Sequence, residues 1–161
     1  HHRSSAASDV YKRQIRNRAT GSICRRLGTE DGLILEKPLF EFFLKDDDLG
    51  DPLINRNHIV SFGWAKDDEL DEMINTSYKV NELLTKLFAD SGMILVDFKL
   101  EFGISNGKIL LGDEFTPDGC RLWDDQTLEK LDKDRFRQDL GDVIESYHIV
   151  AHRLGMQIKV D

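Results

Sequence analysis

Cysteine is scarce in this sequence, and its placement argues against two kinds of scaffold. The 161 residues contain 2 cysteines, Cys24 and Cys120, which lie far apart and form no CxxC or Cys/His spacing. The sequence therefore argues against a disulfide framework and a structural zinc site. The simplest compartment for such a chain is a reducing one, and we expect the cytoplasm.

Long apolar runs and an excess of positive charge are also missing. No stretch approaches the ~20 apolar residues that span a bilayer, and no N-terminal signal pattern is present. The formal net charge of −8 argues against a nucleic-acid surface, because phosphate backbones are bound through clustered Lys and Arg. A small anionic ligand would therefore need a few placed cations or a divalent metal. The hydrophobic content of 40% suits a soluble domain with a core.

The opening residues have the character of a tag, vector or sequencing-adaptor translation. The chain begins with His1, and residues 1–14 are polar and rich in Ser and Ala, with no periodicity that continues into the following sequence. We predict that 1–14 is a non-native leader, which is left out of the fold prediction, and that the native domain occupies 15–161.

Hydrophobic periodicity predicts helices that flank an antiparallel hairpin. Asn106-Gly107 is a dipeptide that favours a tight hairpin turn, and Ser22 and Gly28 suit the N-cap and C′ positions of a short helix. The fold class is therefore α+β. The predicted strands are Pro38–Leu44, Met93–Phe102 and Lys108–Phe115, and the predicted helices are Ile23–Leu27, His58–Trp64, Asp67–Ser91 and Asp134–Leu154.

One predicted strand carries three ionisable side chains on the same face. Alternation in the segment VDFKLEF places Asp97, Lys99 and Glu101 together, and the apolar residues between them on the core face. An ordinary solvated face of an antiparallel sheet explains such a strip in most strands. Here the following segment adds Asp113, Asp118 and Arg121 at the same end, which favours a site over a plain surface.

These residue types suit phosphoryl transfer. Mg²⁺ binds one or two carboxylates and fills its other positions with water and phosphate oxygens, while Lys and Arg hold the remaining anionic oxygens. We predict that one polar site binds an anionic, metal-bound substrate. Its members are Asp97, Lys99, Glu101, Asp113, Asp118 and Arg121.

The hairpin register leaves undecided whether Glu101 and Asp113 can bind the same metal ion. A strict two-residue turn pairs Glu101 with Gly112 and directs Asp113 to the opposite face. Glu101 and Asp113 can share a metal only if a bulge, for which Gly112 is a natural place, or another register intervenes.

A second pair of potential metal ligands has weaker support in the sequence. His148 and His152 have helical i, i+4 spacing, but no third ligand is evident, so we interpret them as a partly exposed helix face. The acidic run at 46–48 is interpreted as a solvated loop.

Four segments closely resemble SAICAR synthetase (phosphoribosylaminoimidazole-succinocarboxamide synthase) of bacterial purine biosynthesis. They are RNRATGS at 16–22, DFKLEFG at 97–103, GDEFTPD at 112–118 and RLWD at 121–124. The resemblance runs without gaps from Ile15 to about Met156, with Thr20 as a small departure where the family usually has Ala. It implies the C-terminal part of an ATP-grasp-like fold.

The resemblance also implies a reaction and its site residues. The family joins L-aspartate to the carboxylate of carboxyaminoimidazole ribonucleotide, using ATP and Mg²⁺, and its full-length members are commonly homo-oligomers. By the family's pattern Glu101 and Asp113 would bind Mg²⁺. Lys99 and Asp97 would act at the reacting groups, and the substrate-binding residues would be Arg16, Ser22, Lys45, Asp51, Asp118 and Arg121.

No segment before Ile15 resembles the N-terminal, nucleotide-covering region of the family. We therefore expect the 161-residue chain to retain most ribonucleotide and metal ligands but to have little ligase activity. The competing hypothesis is a non-catalytic module whose acidic hairpin binds a divalent cation or a partner protein. Such a module has no use for the basic residues Arg16, Lys99 and Arg121.

Overall fold

A computed structural model describes residues 10–105, 108–111, 119–132, 134 and 143–155. Five of its strands form an antiparallel sheet in the order β3-β2-β1-β4-β7, and β5 and β6 form a separate hairpin. The predicted α+β arrangement is confirmed. The strands are β1 (Tyr11–Arg18), β2 (Ile34–Leu44), β3 (Leu53–Ile54), β4 (Met93–Leu100), β5 (Phe102–Ser105), β6 (Lys108–Leu111) and β7 (Cys120–Asp124), and the helices are α1 (Ser22–Leu27), α2 (Arg56–Ser61), α3 (Asp67–Asp90) and α4 (Val143–Arg153).

The long helix α3 covers one face of the large sheet. Its first turn carries Asp67, Asp68 and Glu69, which favour a helix N-terminus because they complement the positive end of the helix dipole. Its apolar stripe packs on core residues of β1, β2, β4 and β7. Leu87 is 51% exposed and lies off this stripe, because Phe88 takes the core position one residue later. Among the described residues, no helix is long and apolar enough to cross a membrane.

Strand β1 lies in the middle of the large sheet and begins inside the predicted leader. Tyr11, Lys12, Arg13 and Gln14 pair with β2, and Arg13 and Gln14 also pair with β4. The sequence prediction left residues up to 14 out of the fold, whereas Tyr11–Gln14 form part of this central strand. Whether these residues are native stays a prediction.

Strand β4 departs from simple alternation at both ends. The predicted strand Met93–Phe102 is interrupted at Glu101, because β4 belongs to the large sheet while β5 belongs to the hairpin. Near its start, the register against β7 shifts between Leu95 and Asp97, so that Val96 is an extra, bulged residue. Strand β7, which the sequence patterns did not predict, pairs along this edge.

Of the two predicted ends of α1, only the C-terminal one is confirmed. Gly28 adopts the left-handed conformation just after the helix and donates its N–H to Cys24 O at 2.8 Å, as expected for a C′ glycine. The N-cap is Gly21, with φ 69°, and the prediction of Ser22 is wrong. Ser22 instead begins the helix, and its side chain contacts Arg16.

Candidate active site

Neighbouring strands place alternating charges in one row on the sheet face opposite α3. Arg16 of β1 lies opposite Asp97 of β4, and Asp97 lies opposite Arg121 of β7. The ion-pair distances are 3.3 Å for Arg16–Asp97 and 2.7 Å for Arg121–Asp97. Glu41 of β2 extends the row at one end and Asp134 at the other, each at 2.5 Å from its arginine. We call this set the charge row; its members are Arg26, Glu41, Arg16, Asp97, Arg121 and Asp134.

Four members of the charge row, Arg16, Arg26, Asp97 and Arg121, line a cleft of ≈ 470 Å³. Among the described residues the cleft is lined by six basic and two acidic side chains, although the whole chain has an acidic excess. Such a local reversal of charge favours anionic ligands. The structure brings six of the predicted site residues to this cleft: Arg16, Ser22, Asp51, Asp97, Lys99 and Arg121.

Arg16 is almost fully committed to partners within the protein. It is 1% exposed, and its Nε donates to Glu41, its Nη1 to Thr20 O and Asp97, and its Nη2 to Ser22 Oγ at 3.1 Å. Because the Ser22 oxygen accepts this bond, the hydroxyl hydrogen is left to donate elsewhere. Ser22 and the remaining N–H of Arg16 can therefore serve an anion in the cleft.

Arg121 is held between two carboxylates and against a glycine. Burial lowers its pKa, but the carboxylates of Asp97 and Asp134 outweigh burial and raise the pKa above its usual value, so it remains a cation. A Cβ added at Gly21 would lie 2.8 Å from Arg121 Nη2. A side chain at position 21 would displace this guanidinium, and the positive φ of Gly21 disfavours one as well.

Asp97 is a buried carboxylate between two guanidinium groups. Burial raises the pKa of Asp97, and the positive charges of Arg121 and Arg16 act in the opposite direction. One oxygen, Oδ2, accepts from both arginines. A carboxylate so placed aligns the two guanidinium groups and leaves little freedom for them to turn.

Lys45 and Glu101 lie in a smaller adjoining cavity of ≈ 150 Å³. Lys12 and Lys99 line both cavities, so the predicted site residues that the structure describes lie around two adjoining cavities. Asp51 accepts hydrogen bonds from the Lys12 ammonium and from Asp46 N. These two bonds, in that order of importance, lower the pKa of the Asp51 carboxyl.

The predicted metal site is only partly within the described residues. Glu101 is exposed and faces a cavity rich in lysine, whereas Asp113 and Asp118 lie outside the described residues. The pairing of Phe102 with Leu111 is that of a strict two-residue turn, which is the register that directs Asp113 away unless a bulge follows. Within the described ranges no group of three His, Cys, Asp or Glu side chains could hold a metal. A single carboxylate still suits Mg²⁺, because water and phosphate oxygens complete its shell.

Sequence reasoning missed several residues of this region. Glu41 and Asp134 belong to the charge row, and Arg25 and Arg26 line the cleft from α1. The available signal for Glu41 was a single charge between Phe40 and Phe42 in a predicted strand. His148 and His152 are both exposed on α4, as interpreted from the sequence.

A buried carboxyl behind the charge row gives a pH-dependent prediction. Asp132 is 2% exposed, accepts hydrogen bonds from Leu122 N and Asp134 N, and has its pKa raised by burial to about 6. The unfolded chain has a pKa of about 3.9 for Asp, so the folded state binds more protons between about pH 4 and 6. The stability contribution of Asp132 should therefore fall by about 2 to 3 kcal/mol as pH rises through this window.

Chemical denaturation of the unmodified chain and of Asp132→Asn, at pH 4 and pH 7.5, would measure this. Asn has nearly the same shape and cannot ionise, so the difference in unfolding free energy should shift in favour of the variant at the higher pH. A difference that does not change with pH would contradict the assignment.

Comparison with known proteins reveals a consistent set of relatives. The family model described as SAICAR synthetase matches residues 14–154. The phosphoribosylaminoimidazole-succinocarboxamide synthase of Alcanivorax borkumensis is 64% identical over 142 residues, which cover 88% of this chain and 60% of that protein. This chain thus spans about three fifths of the length of the curated relatives it matches.

Solved structures agree with the sequence relatives. A crystal structure of phosphoribosylaminoimidazole-succinocarboxamide synthase from Ehrlichia chaffeensis has a TM-score of 0.87 and 44% identity, covering 92% of this chain and 65% of that one. A SAICAR synthetase in complex with ADP has a TM-score of 0.88 and 43% identity, covering 93% and 65%.

Proposed function

Because this chain belongs to the SAICAR synthetase family, we propose that it provides the ribonucleotide side of an ATP-dependent ligase of purine biosynthesis. The reaction joins L-aspartate to the carboxylate of carboxyaminoimidazole ribonucleotide and releases ADP and phosphate. The observation that supports it best is a cation-lined cleft in a protein with an acidic excess. The relative that was solved with ADP supports ATP as co-substrate. The proposal places the enzyme in the cytoplasm, as a homo-oligomer when full length.

The residues of the cleft have complementary tasks toward an anionic ribonucleotide. Ser22 donates its hydroxyl hydrogen, because its oxygen already accepts from Arg16, and Arg121 offers a guanidinium fixed by two carboxylates. Asp118 would join Arg16, Ser22 and Arg121 in holding the ribonucleotide. Charge-assisted hydrogen bonds of this kind give both affinity and orientation.

The reacting carboxylate and phosphoryl oxygens would lie toward Lys99. Its ammonium borders both cavities, where it can neutralise negative charge that develops during transfer. Asp97 orients the arginines beside it, and Lys45 and Asp51 orient substrates at the far side. Mg²⁺, when bound, would supply Lewis-acid stabilisation of phosphate oxygens, and Glu101 and Asp113 are the carboxylates proposed to hold it.

Calorimetric titration of the 161-residue chain with carboxyaminoimidazole ribonucleotide and Mg²⁺ tests this proposal. We expect saturable binding that Ser22→Ala weakens about fivefold to tenfold, since one hydrogen bond to a charged group is lost. Ser61→Ala, at an exposed position that ends α2, is the matched control and should leave binding unchanged.

A folded sample that gives no binding heat would contradict the proposal. It would favour the competing hypothesis of a non-catalytic module for a divalent cation or a partner protein. Circular dichroism on the same sample establishes that the chain is folded.

A further inference from the structure

Glu41 is a buried carboxylate whose two oxygens bind two different arginines. It lies on β2 and is 5% exposed. Its Oε1 accepts from Arg16 Nε and its Oε2 from Arg26 Nη2, each at 2.5 Å. Both arginines line the cleft, whereas Glu41 itself lies beneath them and does not line it.

Each of these arginines is also held by contacts with residues other than Glu41. Arg16 is bound on its other side by Asp97 and Thr20 O, so Glu41 at Nε fixes the rotation of the guanidinium plane that presents Nη2 to Ser22. Arg26 stacks over the ring of Phe43, with its Cζ 5.4 Å from the ring centroid. The side chain of Arg26 is 28% exposed, and Glu41 is its one ion-pair partner among the described residues.

Charge alone does not explain why a carboxylate lies under an anion site. A negative group so close to the cleft reduces the attraction for anions. What the carboxylate provides is geometry, because it holds two guanidinium groups in one arrangement before a ligand arrives and so reduces the ordering needed on binding.

We propose that Glu41 is a positioning residue for the anion site of the cleft, acting through Arg16 and Arg26. The identity of the natural ligand rests on the proposed function, but the positioning role applies to any anion that these arginines hold. A glutamine side chain in place of Glu41 would present an amide N–H₂ group to one arginine where an acceptor is needed. Glu41→Gln therefore releases one guanidinium and, by removing a carboxylate, makes the net charge more positive by one unit.

The two effects of Glu41→Gln on anion affinity have opposite signs. If Glu41 only contributes charge, the variant should bind anions more tightly. If it positions the arginines, the variant should bind them about tenfold more weakly. Glu36→Gln is the matched control, since Glu36 is an exposed residue on the same strand and its loss changes the net charge by the same amount.

Calorimetry should compare the unmodified chain, Glu41→Gln and Glu36→Gln with two probes, carboxyaminoimidazole ribonucleotide and inorganic pyrophosphate. Binding that is weaker for Glu41→Gln but not for Glu36→Gln supports the proposal. Unchanged or tighter binding by Glu41→Gln overturns it. If only pyrophosphate binds the unmodified chain, the ribonucleotide assignment fails while the positioning role is still decided, and binding of neither probe overturns both.

A second variant covers the case in which Glu41→Gln does not fold. Glu41→Asp keeps the buried charge but is one methylene shorter, so it cannot reach both arginines at once. We expect binding at least about threefold weaker, with a shifted Nε–H resonance for Arg16 or Arg26 in NMR spectra. Affinity and Nε–H resonances equal to those of the unmodified chain would overturn the proposal.

Discussion

Replacing Arg121 with methionine should destabilise the fold by about 3 to 5 kcal/mol and abolish anion binding. Arg121 donates to Asp97 and Asp134, which are 2% and 5% exposed. Methionine fills a similar volume but leaves both carboxylates without this cation, and removal of one partner from a buried ion pair costs about this much. Since a domain of this size is stable by only about 5 to 15 kcal/mol, the loss should be plain in a denaturation curve.

The loss should depend on pH in a defined direction. Burial already raises the pKa of Asp97, and without Arg121 this folded-state pKa rises further above the unfolded value. A raised folded pKa means that the folded state binds protons more readily, so the variant should regain stability relative to the unmodified chain as pH falls from 7.5 to 5.

Urea denaturation at both pH values measures the two effects. Arg25→Met is the matched control, because Arg25 is exposed and forms no ion pair within the described residues; its unfolding free energy should change by less than about 0.5 kcal/mol. Arg121→Met within about 1 kcal/mol of the unmodified chain at pH 7.5 would mean that the charge row does not support the fold.

Alternation in a strand was enough to identify the faces of β4 near the site. Phe98 and Leu100 lie in the core, and Asp97 and Lys99 line the cleft, because successive side chains of a regular stretch of strand point to opposite faces. Alternation could not reveal the bulge at Val96, where one residue is added without any change in composition. Nor could it show the break at Glu101, which depends on β5 leaving the large sheet for its own hairpin.

The carboxylates that complete the charge row were beyond sequence reasoning for a different reason. Glu41 meets Arg16 only because β2 and β1 pair in one register, and Asp134 reaches Arg121 from a segment thirteen residues later. Neither spacing has a fixed period along the chain. The resemblance to a family pointed to cations that line the cleft, but not to the buried acids that hold them in place.

Arg13 is a buried cation on the core face of β1. It is 2% exposed, and its cross-strand neighbours are Phe42 and Leu100. Its Nε has no hydrogen-bond partner within the described part of the chain. The rings of Tyr11 and Phe102 lie 4.5 Å and 5.4 Å from its Cζ, and such contacts offset only part of the cost of burying a charge. Burial accordingly lowers the pKa of this guanidinium.

Arg13→Leu should therefore raise the unfolding free energy by about 2 to 4 kcal/mol, since an apolar side chain suits a site between Phe42 and Leu100 and removes a buried charge. Tyr11 and Glu101 favour the charged form of Arg13, but the effect of burial is larger. The corresponding rise in Tm is about 10 °C for a chain of this length.

Lys12→Leu is the control. Lys12 precedes Arg13, lies 32% exposed on the opposite face and pairs with Asp51, so the unfolding free energy of this variant should change by less than about 1 kcal/mol. Scanning calorimetry decides the matter, because a Tm for Arg13→Leu equal to or below that of the unmodified chain would show that this buried arginine is supported by its surroundings.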